Sequence, residues 1–417
     1  MKDYRVRAAR CDRAASESDI DAILRDITAD LSESWERIGR ADKVLIKTNM
    51  VWPPERIEYF DGRRRELVDD AVMRSILRLI RGSTDAELVV IDTMVASAAA
   101  RPEPTLNFQS LLDEFGVRFI DANYPPFETV DVPGGGRMFD RYQLHAEIAD
   151  ADEMISVAKM KSHAFMGLTL TTKNLFGLPP IPPHGRTRSY FHHIIRLPYV
   201  LADLATIMRP CLNIVEGLVG QSGREWGGEA RTPELLLAGD HPIATDACGA
   251  YLMGHDPASD WPTPPFRRDR NHLLVAAEGG LGTVDLGDID FQTEIKPPVA
   301  DFDSEETDPF PTVRSWRRTT CEQGLFYREH AAELFEGYAG EFIYLQDGAV
   351  VWHGVEPQKL GSRRSLSGTK RDRALFLKFV DPHEREGEKF QVYEENLRLI
   401  RDRTTDQPDG SLRSHAR

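Results

Sequence analysis

Met154-Ile155-Ser156-Val157-Ala158-Lys159-Met160-Lys161-Ser162-His163 is the stretch from which the fold can be read. Its apolar, β-branched start predicts a strand over Met154–Val157, with Lys159 and Lys161 at or just past the carboxyl end. Outward from it, similar short runs recur at Val44–Ile46, Leu88–Ile91, Val117–Ile120, Leu212–Val215 and Leu235–Ala238. Helical patterns lie between and beyond them, over Ile20–Ile38, Leu67–Ile80, Ser189–Met208 and Ile243–Met253. Strands alternating with helices predict an α/β fold, a largely parallel sheet flanked by helices, over residues 1–300. Such sheets take ligands beyond the carboxyl ends of their strands, so the polar residues that follow each strand are the first place to look for a site.

From Met154 through Ala202 there is no Asp or Glu in 49 residues, although acids make up 67 of the 417 residues of the chain. The window holds Lys159, Lys161, Lys173, Arg186, Arg188 and Arg196, with His163, His184, His192 and His193. Cations without neighbouring acids leave positive potential for a phosphate or carboxylate. The plainer alternative is a set of solvated cations that pair with acids from elsewhere in the chain. Other strands also end in polar residues: Lys47 and Asn49, Asp92, Glu216, and Asp240. If the strands are parallel neighbours, these converge along one edge.

Within the window each residue has two readings. Lys173 and Asn174 precede a Gly177 turn and the Pro179-Pro180 stop, which suits a fixed binding turn. His163 serves as proton acceptor, kept neutral by the surrounding cations, or only donates a hydrogen bond. On the helix expected at Ser189–Met208, His192 falls on the solvated face and His193 at the margin of the inward stripe. Asp246, early in the next helix, is expected to act as a cap. The sharper alternative joins it to Asp240 and Glu216 around a divalent ion such as Mg²⁺.

A net charge of -15 argues against nucleic acid or an anionic membrane as partner, while leaving room for local capture of a small anion. No apolar run is long enough to span a membrane and no signal-type segment opens the chain, so the cytoplasm is the expected location. The cysteines, Cys11, Cys211, Cys248 and Cys321, are too scattered for a local zinc or iron–sulfur motif. Phosphate-loop, dinucleotide, zinc-protease and serine-hydrolase signatures are absent from the sequence. An acidic, Pro-containing linker or loop is expected at 301–312, a smaller α+β appendage at 313–403 and a disordered tail at 404–417. The appendage combines a helix over Arg314–Phe335, a hairpin pairing Glu341–Leu345 with Ala349–His353, and a helix over Glu384–Arg401.

Val44-Leu45-Ile46-Lys47-Thr48-Asn49, Lys159-Met160-Lys161-Ser162-His163, Thr172-Lys173-Asn174-Leu175-Phe176-Gly177, Asn213-Ile214-Val215-Glu216-Gly217 and Ala238-Gly239-Asp240-His241-Pro242-Ile243-Ala244-Thr245-Asp246-Ala247 stand in that order. The set resembles the blocks of the domain-of-unknown-function 362 family, over roughly Lys43 to Gly282. Many members of that family carry an attached ferredoxin-like module, and the four cysteines here do not supply one.

These observations lead to an expected enzyme of lyase or isomerase type, acting on a small anionic metabolite. In this reading Lys159, Lys161 and Lys173 hold the anion, Asn49, Asn174 and His193 orient it, and His163, Lys161 or Lys47 transfers a proton. The alternatives are a non-catalytic binder that delivers a ligand within a biosynthetic pathway, and a redox enzyme with a dispersed flavin or metal site. The C-terminal region is the place expected to meet a pathway partner or a second copy of the chain.

Overall fold

The computed structural model describes residues 4–52, 54–94, 106–181, 188–356 and 366–405. The backbone forms two compact units, one of residues up to 192 together with 196–307, the other of 193–195 together with 308 onward.

The larger unit is built on eight strands: β1 (Tyr4–Arg10), β2 (Lys43–Thr48), β3 (Glu87–Asp92), β4 (Arg118–Asp121), β5 (Glu153–His163), β6 (Leu212–Ser222), β7 (Leu235–Gly239) and β8 (Ile289–Thr293). They lie in the order β8-β1-β7-β6-β5-β2-β3-β4, and short strands Gly167–Thr169 and Glu229–Arg231 pair with β5 and β6. All eight run the same way except β7, which is antiparallel to both β1 and β6. Period-2 alternation divides the core between the faces. Leu236 and Ala238 join one buried cluster with residues of helices Glu17–Thr28 and Asp70–Arg81, while Leu235 and Leu237 join another with helix Pro242–Leu252. A sheet covered on both faces accounts for the nearly unbroken apolar runs of its strands.

Several elements depart from the sequence expectation. The pattern at Ile20–Ile38 forms two helices, Glu17–Thr28 and Ser32–Arg40. The pattern at Ser189–Met208 is interrupted between Arg188–Phe191 and Arg196–Met208, where Ile195 takes φ 79°, a left-handed conformation that ends the run. Strands β5 and β6 run well past Val157 and Val215, because the charged residues beyond those points pair within the sheet instead of turning outward. Part of the acidic 301–312 segment is also fastened to this unit. The Gly223 amide donates to the Asp303 carbonyl at 2.8 Å, and the Glu305 amide donates to the Gly223 carbonyl at 2.7 Å.

The smaller unit is α+β. Helices Phe310–Glu329, Ala331–Tyr338 and Gln391–Thr405 accompany a three-stranded antiparallel sheet with Phe342–Gln346 between Ala349–Gly354 and Phe376–Phe379. Its buried Lys378 ammonium meets Glu384 at 2.9 Å and Glu388 at 2.8 Å. The expected tail lies outside the described residues from 406 on. Among the described residues, no helix is long and apolar enough to cross a membrane.

Candidate functional site

Alternation along β5 puts Lys159, Lys161 and His163 on one side of the strand, all buried. Their partners differ because of the neighbouring strand. Glu216 of β6 stands in register with Lys159, and the two form a fully buried ion pair at 2.6 Å. The Lys159 ammonium also donates to the Arg64 carbonyl at 2.6 Å, and Glu216 accepts the amides of Leu218 at 2.8 Å and Asp69 at 3.3 Å. Lys159 as an anion holder and Glu216 as a metal ligand are therefore corrected: each neutralises the other inside the sheet. Past Glu216 the register shifts, and Lys161 comes opposite the neutral Gln221. Its ammonium is left with carbonyl acceptors, Glu66 at 2.7 Å and Glu225 at 3.3 Å. Burial brings the Lys161 ammonium down to about 8, against the opposing pull of the Glu66 and Glu225 carboxylates.

Lys161 and His163 line a cavity of about 180 Å³ over the carboxyl edge of β2, β3 and β5, shared with Lys47, Asn49, Lys173 and Asn174. The His163 Nδ1 accepts the amides of Phe165 at 3.0 Å and Met166 at 3.2 Å. A ring whose Nδ1 accepts carries its proton on Nε2 when neutral. Burial first, then Lys173 and Lys161, holds the imidazole well below its usual titration range, so the neutral ring prevails. This geometry makes His163 a hydrogen-bond donor at Nε2 rather than a proton acceptor there. The half-buried His192 ring lies 5.8 Å from it, against Phe165 and Phe176, and is likewise held neutral by burial and Lys173. His192 thus belongs to the cavity wall, not to a solvated helix face, because the expected helix stops before it.

Lys47 forms the opposite wall and is committed there. Its ammonium donates to Asp92 and Asn174, each at 2.9 Å, and to the Thr48 carbonyl at 3.0 Å. Asn174 in turn donates to the carbonyls of Lys47 at 3.0 Å and Val157 at 3.2 Å, which ties the Thr171–Asn174 turn to two strands. Gly177 closes this corner. A Cβ there would stand 2.5 Å from the Asp92 carboxylate and 2.6 Å from the Lys47 side chain.

Sequence reasoning missed the loop that completes the cavity. Glu225 and Trp226 line it, with a Glu225 carboxylate oxygen 3.6 Å from His163 Nδ1 and the Lys161 ammonium 4.4 Å over the Trp226 ring. Trp52 stacks on the loop's indole, the ring centroids 4.3 Å apart. The available signal was a tryptophan in a glycine-rich loop, Gly223-Arg224-Glu225-Trp226-Gly227-Gly228, where a large aromatic has no local reason to be.

The profile described as domain of unknown function (DUF362) matches residues 44–251, within the span expected from the sequence blocks. The chain belongs to this family. Every cavity residue named above falls inside the matched segment. Thylakoid-associated protein sll1697 of Synechocystis sp. is 29% identical over 160 residues, 34% of this chain and 49% of that protein. The chain thus spans about half the length of this curated relative. Among solved structures, the lactate racemase apoprotein from Thermoanaerobacterium thermosaccharolyticum aligns at 14% identity with a TM-score of 0.35, over 60% of this chain and 56% of that one.

Within the family segment, the remaining expected ligands do not reach the cavity. Asp240 follows β7, whose reversed direction carries it to the opposite edge of the sheet, where it accepts the Arg5 amide at 3.0 and 3.1 Å. Asp246 is buried and accepts the Thr171 amide at 2.9 Å, the Thr171 hydroxyl at 2.5 Å and the Thr172 amide at 2.7 Å. Its role is to hold the turn that carries Lys173 and Asn174, and burial raises its carboxyl to about 6. Asp240, Glu216 and Asp246 therefore form no common metal site. Among the described residues, no group of three or more His, Cys, Asp or Glu side chains is placed to hold a metal ion. His193 belongs to the smaller unit, its ring nitrogens 2.9 Å from the Ile194 carbonyl and 3.0 Å from the Leu375 carbonyl.

Proposed function

We propose that the chain is an enzyme that binds a small carboxylate- or phosphate-bearing metabolite in the cavity over β2, β3 and β5 and moves a proton within it. One observation carries the reading: Lys161, whose amine is brought close to neutrality, shares a small cavity with the His163 imidazole and the Lys173 cation. A lysine near pH 8 exchanges protons readily at physiological pH, as a general base or acid requires. Lys173 and the His163 Nε2–H supply donors for the ligand anion and for negative charge that develops beside it. Lys47, Asp92 and Asn174 fix the wall, and their mutual bonds favour a structural role for Lys47 over a share in catalysis. The 180 Å³ volume is well below the roughly 300–1,000 Å³ typical of sites for drug-sized ligands, which favours a metabolite of a few carbons. Proton transfer of this kind fits isomerisation or elimination.

The test is a thermal-shift screen of small organic acids and inorganic phosphate, followed by NMR detection of solvent deuterium entering the C–H bonds of each hit. The proposal expects hits that stabilise the wild type and exchange. It also expects Lys161→Met to abolish exchange and His163→Ala to weaken binding. Stabilisation without exchange, or exchange that survives Lys161→Met, overturns it; the former outcome describes a carrier.

A further inference from the structure

Two carboxylates line the cavity, and their surroundings differ. Asp92 is met by the Lys47 ammonium at 2.9 Å. Glu225 forms no ion pair with a lysine or arginine among the described residues. Its Oε2 accepts the Ala164 amide at 3.3 Å and lies 3.6 Å from the His163 Nδ1, which the amides of Phe165 and Met166 already occupy. Its Oε1 accepts no hydrogen bond from a described residue. The loop that carries it is held on both sides, which makes this acceptor a fixed part of the wall. Gly223 and Gly227 turn the chain with φ 91° and 66°. The Gln221 side-chain amide donates to the Arg224 carbonyl at 2.7 Å, and the Gly227 amide donates to the buried Glu66 carboxylate.

We propose that Glu225 is a specificity-determining residue, selecting a carboxylate that also carries a hydrogen-bond donor, an ammonium or a hydroxyl, over a plain carboxylate or phosphate. This deepens the proposed function and rests on it, with Lys173 and the His163 Nε2–H taking the anionic end of the ligand. A ligand that fills so small a cavity takes water away from the Glu225 carboxylate, and an acceptor so desolvated needs a new donor. The donor for the anion and the Glu225 acceptor flank one imidazole ring, so the ligand's own donor lies near its carboxyl group, at C2 or C3. A plain carboxylate leaves the acceptor unpaired, which is how a site built for a hydrogen bond rejects an analogue that lacks it. A phosphate dianion brings a second negative charge toward a carboxylate that no cation neutralises.

Isothermal titration calorimetry on the full chain compares two- to four-carbon carboxylates, with and without an amino or hydroxyl group at C2 or C3, and inorganic phosphate. The proposal expects the best donor-bearing acid to bind about tenfold or more tighter than its plain counterpart and than phosphate. A preference in the amino or in the hydroxyl series supports it alike and names the donor. Glu225→Met removes the acceptor and should bring the donor-bearing acid down to its plain counterpart, whose own affinity stays. Glu225→Gln removes only the charge and should tighten phosphate. Because Glu225 is partly exposed and outside any such ion pair, both variants should keep the melting temperature. A merely structural role would weaken every ligand alike, and that result overturns the proposal. Equal binding of plain and donor-bearing acids by the wild type, or a preference that survives Glu225→Met, overturns it alone. Failure of every acid and of phosphate to bind overturns the proposed function along with it.

Discussion

Lys159 and Lys161 stand two residues apart on one strand and differ in what the next strand offers them. Lys159 meets Glu216 in register, whereas the register shift gives Lys161 the neutral Gln221, backbone carbonyls and the Trp226 ring. Removing one member of a fully buried pair leaves an uncompensated charge, so Lys159→Met alone should cost about 3–5 kcal/mol in denaturant unfolding. Adding Glu216→Leu should return most of that loss; a double variant no better than the single would contradict the pairing. For Lys161 the folded-state value of about 8 lies below the usual 10.5, so the folded chain binds fewer protons between these values. Its contribution is therefore fully present above 10.5 and is lost as the pH falls through 8. Lys161→Met should remove this trend and stabilise the protein near pH 7, by up to about 3 kcal/mol at 1.36 kcal/mol per unit. Equal pH profiles of stability between pH 8 and 10.5 for wild type and variant would count against a buried, lowered Lys161. The acid-free window made the cations visible in the sequence. Which lysine would be neutralised was not legible, because it depends on a register shift between strands far apart in the chain.

The turn from Thr171 to Gly177 is the element that brings a third cation to the cavity. Asp246 holds its first amides, Asn174 ties it to β2 and β5, and Gly177 lets it close on Asp92 and Lys47. The sequence showed the turn and its glycine but not the reason for the glycine, which is the approach of a carboxylate and an ammonium from two other strands. Gly177→Ala should force these groups apart and destabilise the fold by about 1–3 kcal/mol. Chemical denaturation measures the cost, and an unaltered midpoint would mean that the corner is looser than the distances imply. Asp246 was expected to cap its own helix or bind a metal, and it instead caps the neighbouring turn. Local sequence indicates that a buried acid needs amide donors, but not which segment supplies them.

For the whole molecule, the alternation of strands and helices was enough to read a mostly parallel sheet with a ligand-accepting edge. It could not reveal that β7 runs backward, and that one reversal carries Asp240 to the far edge and dissolves the expected acidic cluster. Nor could it bring the Glu225–Trp226 loop to the cavity, since a loop's position is set by the strands it joins. What remains is a small site with Lys161, Lys173 and His163 on its walls and Lys159 sealed away behind it. The most direct test is an NMR titration of protein labelled with ¹³C at the lysine ε-carbons, using inorganic phosphate and small carboxylates. The account predicts that at least one ligand moves the Lys161 and Lys173 signals along a common binding curve while the Lys159 signal stays in place. Separate curves for Lys161 and Lys173, or a Lys159 signal that moves with them, would contradict it.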